Sequence, residues 1–487
     1  MKEAGCVLGV CGVGCLAAIA LGLLVLQRFP NSGDEWCYLL QAEIFSQGQL
    51  SAPSPHLREF FDVGWMINNG KFYTQHPPGW PLLLAAGMLA GVPWLVNPLL
   101  GALTLLVLYV LGKSLYDDRR VAMLAVLYTL GSPFFLFHSA SYWAHSSSLL
   151  TLSLSLLGLV RGLQKASLLA PLLGGVCGSL SFLIRPLEQV TLLAACGLFC
   201  LLPSVRRRHG LKIGSLFCGT HLLGLGLLLG YHTVQNGHPL VSGYQLGYSA
   251  SGAANIAWTL PTWHYIDDYL QALLLWTTPG LLLAAVGYGG YVLSSRQRQR
   301  RTPDGDVLLL LTCGTYLLVY ATVAYPSLVG YGPRYYYSLL GSIALLAARG
   351  SVVCVLWCLS CLRGQRWHAS LLSLTGCFLV ALGAMWLRHI SHEVHQIQQR
   401  LTLQRLVAAQ ALQHAVVFIG APSGDFEALD LTRNRLDFQG DIVYALDRGA
   451  HNRALMQHYP GRRYFLYAQT EGQEEVSLQE IHPSARR

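Results

Sequence analysis

Residues 5–26 run from Gly5 to Leu26 without one charged side chain. Ten stretches of similar character follow, at 94–112, 121–137, 146–163, 166–184, 187–204, 212–231, 269–293, 307–324, 336–360 and 369–388. A bilayer core takes about 20 apolar residues per helix, and inside it only helices or closed barrels satisfy their own backbone. The chain is therefore expected to be an α-helical polytopic membrane protein with about eleven transmembrane helices. Composition agrees: 53% of the 487 residues are hydrophobic and only 12% are Asp, Glu, Lys or Arg, against about 25% charged in an average soluble chain. That excludes a soluble enzyme, and the apolar, aromatic character excludes disorder.

Residues 78–91, after a double proline, are too short to cross comfortably and are expected to form a half-helix on the outer side. With that assignment the N-terminus lies inside, 5–26 is an uncleaved anchor, and the tail lies outside. Inner loops then hold Lys113, Arg119, Arg120, Arg161, Lys165, Arg206 to Arg208, Lys212, Arg296, Arg298, Arg300, Arg301, Arg363 and Arg366. Outer loops before the tail hold Arg28, Arg58, Lys71, Arg185 and Arg334. This is the positive-inside asymmetry, and it turns the net charge of +9 into a statement about orientation rather than a nucleic-acid partner. Arg349 falls mid-span and has no topological role.

The thirteen cysteines sit mainly in apolar runs, where a thiol packs as a small hydrophobe. Cys354, Cys358 and Cys361 share helical spacing, but no His or carboxylate joins them as a metal ligand. From about residue 390 the composition becomes that of a soluble domain. A polar helical stretch, His392 to Gln413, precedes the short apolar runs 415–419, 442–446 and 464–467, which read as strands. The expected organisation is a membrane catalytic domain over 1–389, with the outer loop 28–77, and a small α/β outer domain over 390–487.

Chemistry is expected outside, where the loops are long and polar. Asn31-Ser-Gly-Asp-Glu-Trp36 places Asp34 and Glu35 at a membrane mouth, where partial burial tunes a carboxylate. Ser32 and Glu35 also spell a capping box, and the two readings are compatible. Tyr73-Thr-Gln-His-Pro-Pro-Gly-Trp80 opens the half-helix; it is either a structural start or, with His76, an anion site at a helix N-terminus. Arg185-Pro-Leu-Glu188 breaks the apolar stretch 166–204, either as an internal ion pair or as an anion site. Tyr331-Gly-Pro-Arg-Tyr-Tyr-Tyr337 sets Arg334 among tyrosines, as an interfacial belt or as a guanidinium fork for phosphate. His138, Tyr142, Trp143 and His145 form another outer turn, as interface anchors or with a chemical role for a His. A lipid-linked sugar transporter or flippase, or a non-catalytic scaffold, would use the same topology. No internal repeat of the transporter kind is present, and polar residues are sparse within the spans.

Asp34-Glu35 after the first span, His76-Pro77-Pro78-Gly79 before a short helix, and Ser132-Pro133-Phe134-Phe135 resemble the motifs of the GT-C membrane glycosyltransferases. The branch they resemble is the family-39-like enzymes, related to protein O-mannosyltransferases and the lipid A aminoarabinose transferase. Gly332-Pro333-Arg334-Tyr335 and Pro239-Leu-Val-Ser-Gly-Tyr244 fit the same pattern, and the resemblance covers most of 1–390. It implies an inverting transferase on the outer face of a bacterial plasma membrane. The donor would be a polyprenyl-phosphate sugar, and the acceptor a hydroxyl of a glycan, lipid or protein. In it Asp34 would be the general base, and Glu35 would support it or contact the acceptor. Arg334, with His76 and Arg185, would contact the donor phosphate; Tyr244, Tyr335 and His145 would contact substrate. Some relatives carry lysine before the double proline, where this chain has Gln75-His76, and an acidic residue in the turn His138 to His145, where it has none. No Asp-x-Asp pair occurs in the first loop, so no metal is expected to be required.

Overall fold

The structure is a computed structural model that describes residues 2–251, 257–258, 263–296, 304–324, 330–361, 366–420, 431, 433–469 and 476–482. Of the cations expected in inner loops, Arg298, Arg300, Arg301 and Arg363 lie outside the described residues.

Apolar runs become helices, but not all as single long ones. Among the described residues seven helices are long and apolar enough to cross a membrane: Lys2–Val25, Pro93–Tyr116, His145–Lys165, Leu211–Asn236, Asp304–Ala321, Arg334–Leu359 and Ser373–Arg400. The span expected at 121–137 is a bent pair, Arg119–Leu130 and Pro133–Ala140, meeting at 64°. Pro133 lacks an N–H and pushes Ser132 out of the helical region; Ser132 is extended at φ −82° and ψ 121°. The stretches 166–184 and 187–204 form the shorter helices Leu169–Phe182 and Pro186–Leu201, because Pro186 starts a new helix. The stretch 269–293 is split into Trp263–Trp276 and Leu281–Arg296 around Pro279 and Gly280. Residues 78–91 form the 11-residue helix Gly79–Leu89.

Small residues let the helices approach closely, as in membrane packing generally. A Cβ on Gly158 would stand 2.6 Å from both the Ala170 carbonyl oxygen and the Gly174 Cα. At the opposite end of the bundle from the first loop, Tyr116 and Tyr288 donate to Asp306 at 2.8 and 2.9 Å, and the Arg349 guanidinium lies 5.4 Å over the Tyr116 ring. Arg349 is thus accommodated beside a buried acid, as intramembrane charges usually are.

The first loop folds into the helix Gly33–Ser46 and a small antiparallel sheet, ordered Ala52–Pro53, Lys71–Thr74, Met66–Asn68. The tail forms a four-stranded sheet ordered Ile442–Leu446, Ala415–Ile419, Arg463–Gln469, Val476–Ile481. The first three strands are parallel and the last is antiparallel. Phe60, Phe61 and Phe72 of the loop and Val416, Phe418 and Phe438 of the tail bury into one hydrophobic core, so loop and tail occupy the same face of the bundle. The boundary at 389/390 falls within a continuous helix, Arg366–Arg400, that carries the chain from the last span into the tail.

Candidate active site

The helix Gly33–Ser46 starts as its sequence dictates. Ser32 is the N-cap, and its Oγ accepts from the Glu35 N–H at 3.3 Å. The same hydroxyl donates to Glu35 Oε2 at 3.1 Å, and the Asn31 N–H donates to Oε2 at 2.8 Å. Ser32 makes the forward bond of a capping box, while the return bond goes to the N–H of Asn31, one residue before the N-cap, and a third strut is the Tyr142 N–H donating to Glu35 Oε1 at 2.8 Å. Glu35 is fully buried and its carboxylate is spent on holding the first span, the helix and the turn at 142 together.

That frame presents Asp34 in the first turn. Asp34 Oδ2 takes an ion-paired hydrogen bond from Arg334 Nη1 at 2.7 Å, and Oδ1 lies 3.0 Å from His76 Nε2. The three residues come from chain segments separated by tens to hundreds of positions. His76 Nδ1 is 3.0 Å from the Tyr244 hydroxyl, and the Tyr38 ring packs on the imidazole with centroids 4.6 Å apart. With Tyr244 donating to Nδ1, a neutral ring carries its proton on Nε2, facing Asp34. His76 is placed by its own N–H donating to Thr74 Oγ1 at 3.3 Å. At Gly79 the N–H donates to the Leu183 carbonyl at 2.6 Å, and a Cβ would stand 2.7 Å from that oxygen. One donor of the half-helix N-terminus is therefore already used within the protein.

Arg334 opens the 3-10 turn Arg334–Leu339 after Gly332, whose φ of +83° favours glycine. Its guanidinium lies 4.6 Å over the Trp143 ring and 5.4 Å from the Tyr335 ring. Arg185 approaches the same Tyr335 ring at 5.5 Å, so two cations flank one tyrosine. Arg185 is also paired with Glu188, which accepts from Ser148 Oγ at 2.5 Å and from Ser338 Oγ. His145 is buried, and its ring is 5.3 Å from that of Trp143, one ring removed from Arg334.

Burial by itself would raise the Asp34 carboxyl; the Arg334 guanidinium and His76 outweigh it and hold the group below the usual carboxylate range. Glu35 goes the other way. Burial pushes it up to about 7 against the three hydrogen bonds it accepts. Adjacent carboxyls thus differ in environment: Asp34 is held ionised by two partners, and burial favours the neutral form of Glu35.

Tyr38 was not singled out in the sequence, although it stands four residues after Asp34 on the same helix face. Trp143 appeared there only as an anchor. Glu393, which accepts from Asn31 Nδ2 at 3.0 Å, left no local signal. Among the described residues, no three His, Cys, Asp or Glu side chains converge as metal ligands.

Residues 75–229 match the family model described as dolichyl-phosphate-mannose-protein mannosyltransferase, and residues 415–487 match a domain of unknown function, DUF7846. No curated protein matches the sequence significantly. Similar solved structures include ArnT from Cupriavidus metallidurans bound to undecaprenyl phosphate, with a TM-score of 0.60 and 13% identity over 95% of this chain and 93% of that one. The apo state of ArnT gives 0.59 and 13% over 96% and 94%. The Archaeoglobus fulgidus oligosaccharyltransferase tethered with an acceptor peptide gives 0.52 and 12% over 95% and 69%. At these identities the likeness is one of fold.

Proposed function

We propose that this chain, which has the GT-C glycosyltransferase fold, transfers a sugar from a polyprenyl-phosphate donor to an acceptor hydroxyl, with inversion, on the outer face of a bacterial plasma membrane. The observation that carries the reading is Asp34 held between Arg334 and His76 on the face where the first loop and the tail meet. The ligand in the ArnT structure is a polyprenyl phosphate and the matched family model is named for a lipid-phosphate sugar donor, which supports this donor class.

In this mechanism Asp34 takes the acceptor proton as the acceptor oxygen bonds to the anomeric carbon. The bond from that carbon to the phosphate oxygen breaks on the opposite side, and polyprenyl phosphate leaves. Arg334 meets the charge that grows on the leaving phosphate, where a preorganised cation is worth most. The resting pair between Asp34 and Arg334 gives the steps an order. A donor phosphate draws the guanidinium toward itself, which weakens its hold on Asp34 and makes that carboxylate a stronger base. Glu35 keeps the mouth in shape and takes no part in proton transfer. Tyr244 orients His76; Tyr335, between the two arginines, lines the path of the phosphate.

The test is a transfer assay with purified protein, a polyprenyl-phosphate sugar labelled in the sugar, and candidate acceptors. Label leaving the lipid for an acceptor supports the reading. Donor that crosses reconstituted vesicles intact, without transfer, makes the chain a flippase and sinks it. Sidedness is tested separately in whole cells: a cysteine at Ser51 is expected to react with an impermeant thiol reagent and one at Ser114 is not. The reverse pattern would move the site to the cytoplasm.

A further inference from the structure

Asn31 immediately precedes the N-cap of the helix that carries Asp34, and its side-chain N–H donates to Glu393 Oε2 at 3.0 Å across 362 positions of sequence. Glu393 is 3% exposed and sits in the helix Arg366–Arg400 that leads into the tail. From Asn31 the connection runs on: its backbone N–H holds Glu35 Oε2, and Glu35 Oε1 holds the N–H of Tyr142. The next residue, Trp143, is the ring under the Arg334 guanidinium. Three hydrogen bonds therefore link the helix Arg366–Arg400 to Tyr142, and the linked residues Glu35 and Tyr142 are chain neighbours of Asp34 and of the Trp143 ring that lies under Arg334. A second set of contacts runs beside it. The Arg433 guanidinium of the tail lies 4.6 Å over Trp36 and 5.3 Å over Phe29, on either side of Asn31 and Asp34 in sequence. Arg448 donates through Nε and Nη2 to the Glu59 carbonyl at 3.0 and 2.7 Å.

We infer that Glu393 is a positioning residue, through which the last long helix, which carries the tail, sets the geometry of Asp34 and Arg334, so that this helix is part of the catalytic unit and not merely an anchor for the outer domain. The inference rests on Asp34 being the base. Glu393 touches no reacting atom; it acts by fixing Asn31, and a displacement of about 1 Å in a reacting group is enough to cost roughly a hundredfold in rate.

The experiment uses full-length protein and the transfer assay, with donor binding measured separately on bare polyprenyl phosphate. Glu393→Ala is expected to lower kcat about tenfold to a hundredfold, with donor affinity within about twofold of wild type. Glu393→Gln retains an oxygen that accepts from Asn31 and is expected to restore at least half of kcat. Asn31→Ala is expected to match Glu393→Ala, and the double variant to be no worse than either, the signature of one shared contact. Full kcat in Glu393→Ala, losses that add in the double variant, or a Glu393→Gln as impaired as Glu393→Ala would overturn the proposal. Should Glu393→Ala fail to fold, Asn31→Ala and Glu393→Gln decide it alone. An active Asp34→Asn would instead remove the base assignment, whatever the Glu393 variants do.

Discussion

Asp34→Asn is expected to lower the transfer rate by about 10²- to 10⁴-fold, the usual worth of a positioned general base, while donor binding stays intact or tightens. The second half of that expectation comes from the resting ion pair. Arg334 now donates to a carboxylate at 2.7 Å; an amide at the same place accepts the bond without the charge. Arg334 then gives up less when it turns to a donor phosphate, so affinity for bare polyprenyl phosphate should be at least that of wild type. Single-turnover transfer and lipid binding, measured on the same preparation, check the two parts. A variant that turns over at the wild-type rate removes Asp34 as the base. A variant that loses binding along with rate shows that Asp34 holds substrate and is not the proton acceptor.

Arg334→Ala is expected to cost about 10²- to 10³-fold in rate, as for other lost donors to a developing anion, with weaker donor binding. It should also move the pH profile in a direction that can be worked out. In the native site Asp34 lies below the ordinary carboxylate range because Arg334 and His76 outweigh burial. It is therefore ionised at every pH above that range, and the acid limb of the profile falls at low pH. With Arg334 gone, burial acts against His76 alone and the Asp34 carboxyl rises, so the acid limb shifts to higher pH. The same sign applies to stability. A carboxyl depressed in the folded state contributes stability above its unfolded pKa, which is lost as pH falls through the folded value. Arg334→Ala should accordingly flatten the acid side of the thermal unfolding profile as it raises the acid limb of the rate. A limb that does not move would mean that the low value of Asp34 owes nothing to Arg334.

The capping box at Ser32 and Glu35 shows how far local patterning reaches. S-x-x-E predicted the helix start, and the structure has it, with Glu35 N–H on Ser32 Oγ. What the pattern could not say is that Glu35 also receives the Tyr142 N–H from another part of the chain. Arg185 and Glu188 are a parallel case. Three-residue spacing made their pairing legible, but Ser148, Ser338 and the Tyr335 ring reach them from other helices. Pro133 and Pro186 show the reverse limit. The apolar runs 121–137, 166–184 and 187–204 each read as one span, yet the prolines within or beside them decided where the helices break.

By itself the sequence determined the solvent in which this chain folds, most of the span positions, an orientation to be tested, and the acidic, basic and aromatic residues to be considered. These follow from hydrophobic length and from charge counted along the chain, both properties of consecutive residues. Only the tertiary structure decided that Asp34, His76 and Arg334 meet, that Glu35 accepts hydrogen bonds from three donors while its neighbour pairs with Arg334, and that Glu393 of the last long helix holds Asn31 of the first loop. Those outcomes depend on distances of about 3 Å between segments far apart in sequence, where hydrogen bonding and burial act. No periodicity along the chain encodes such distances.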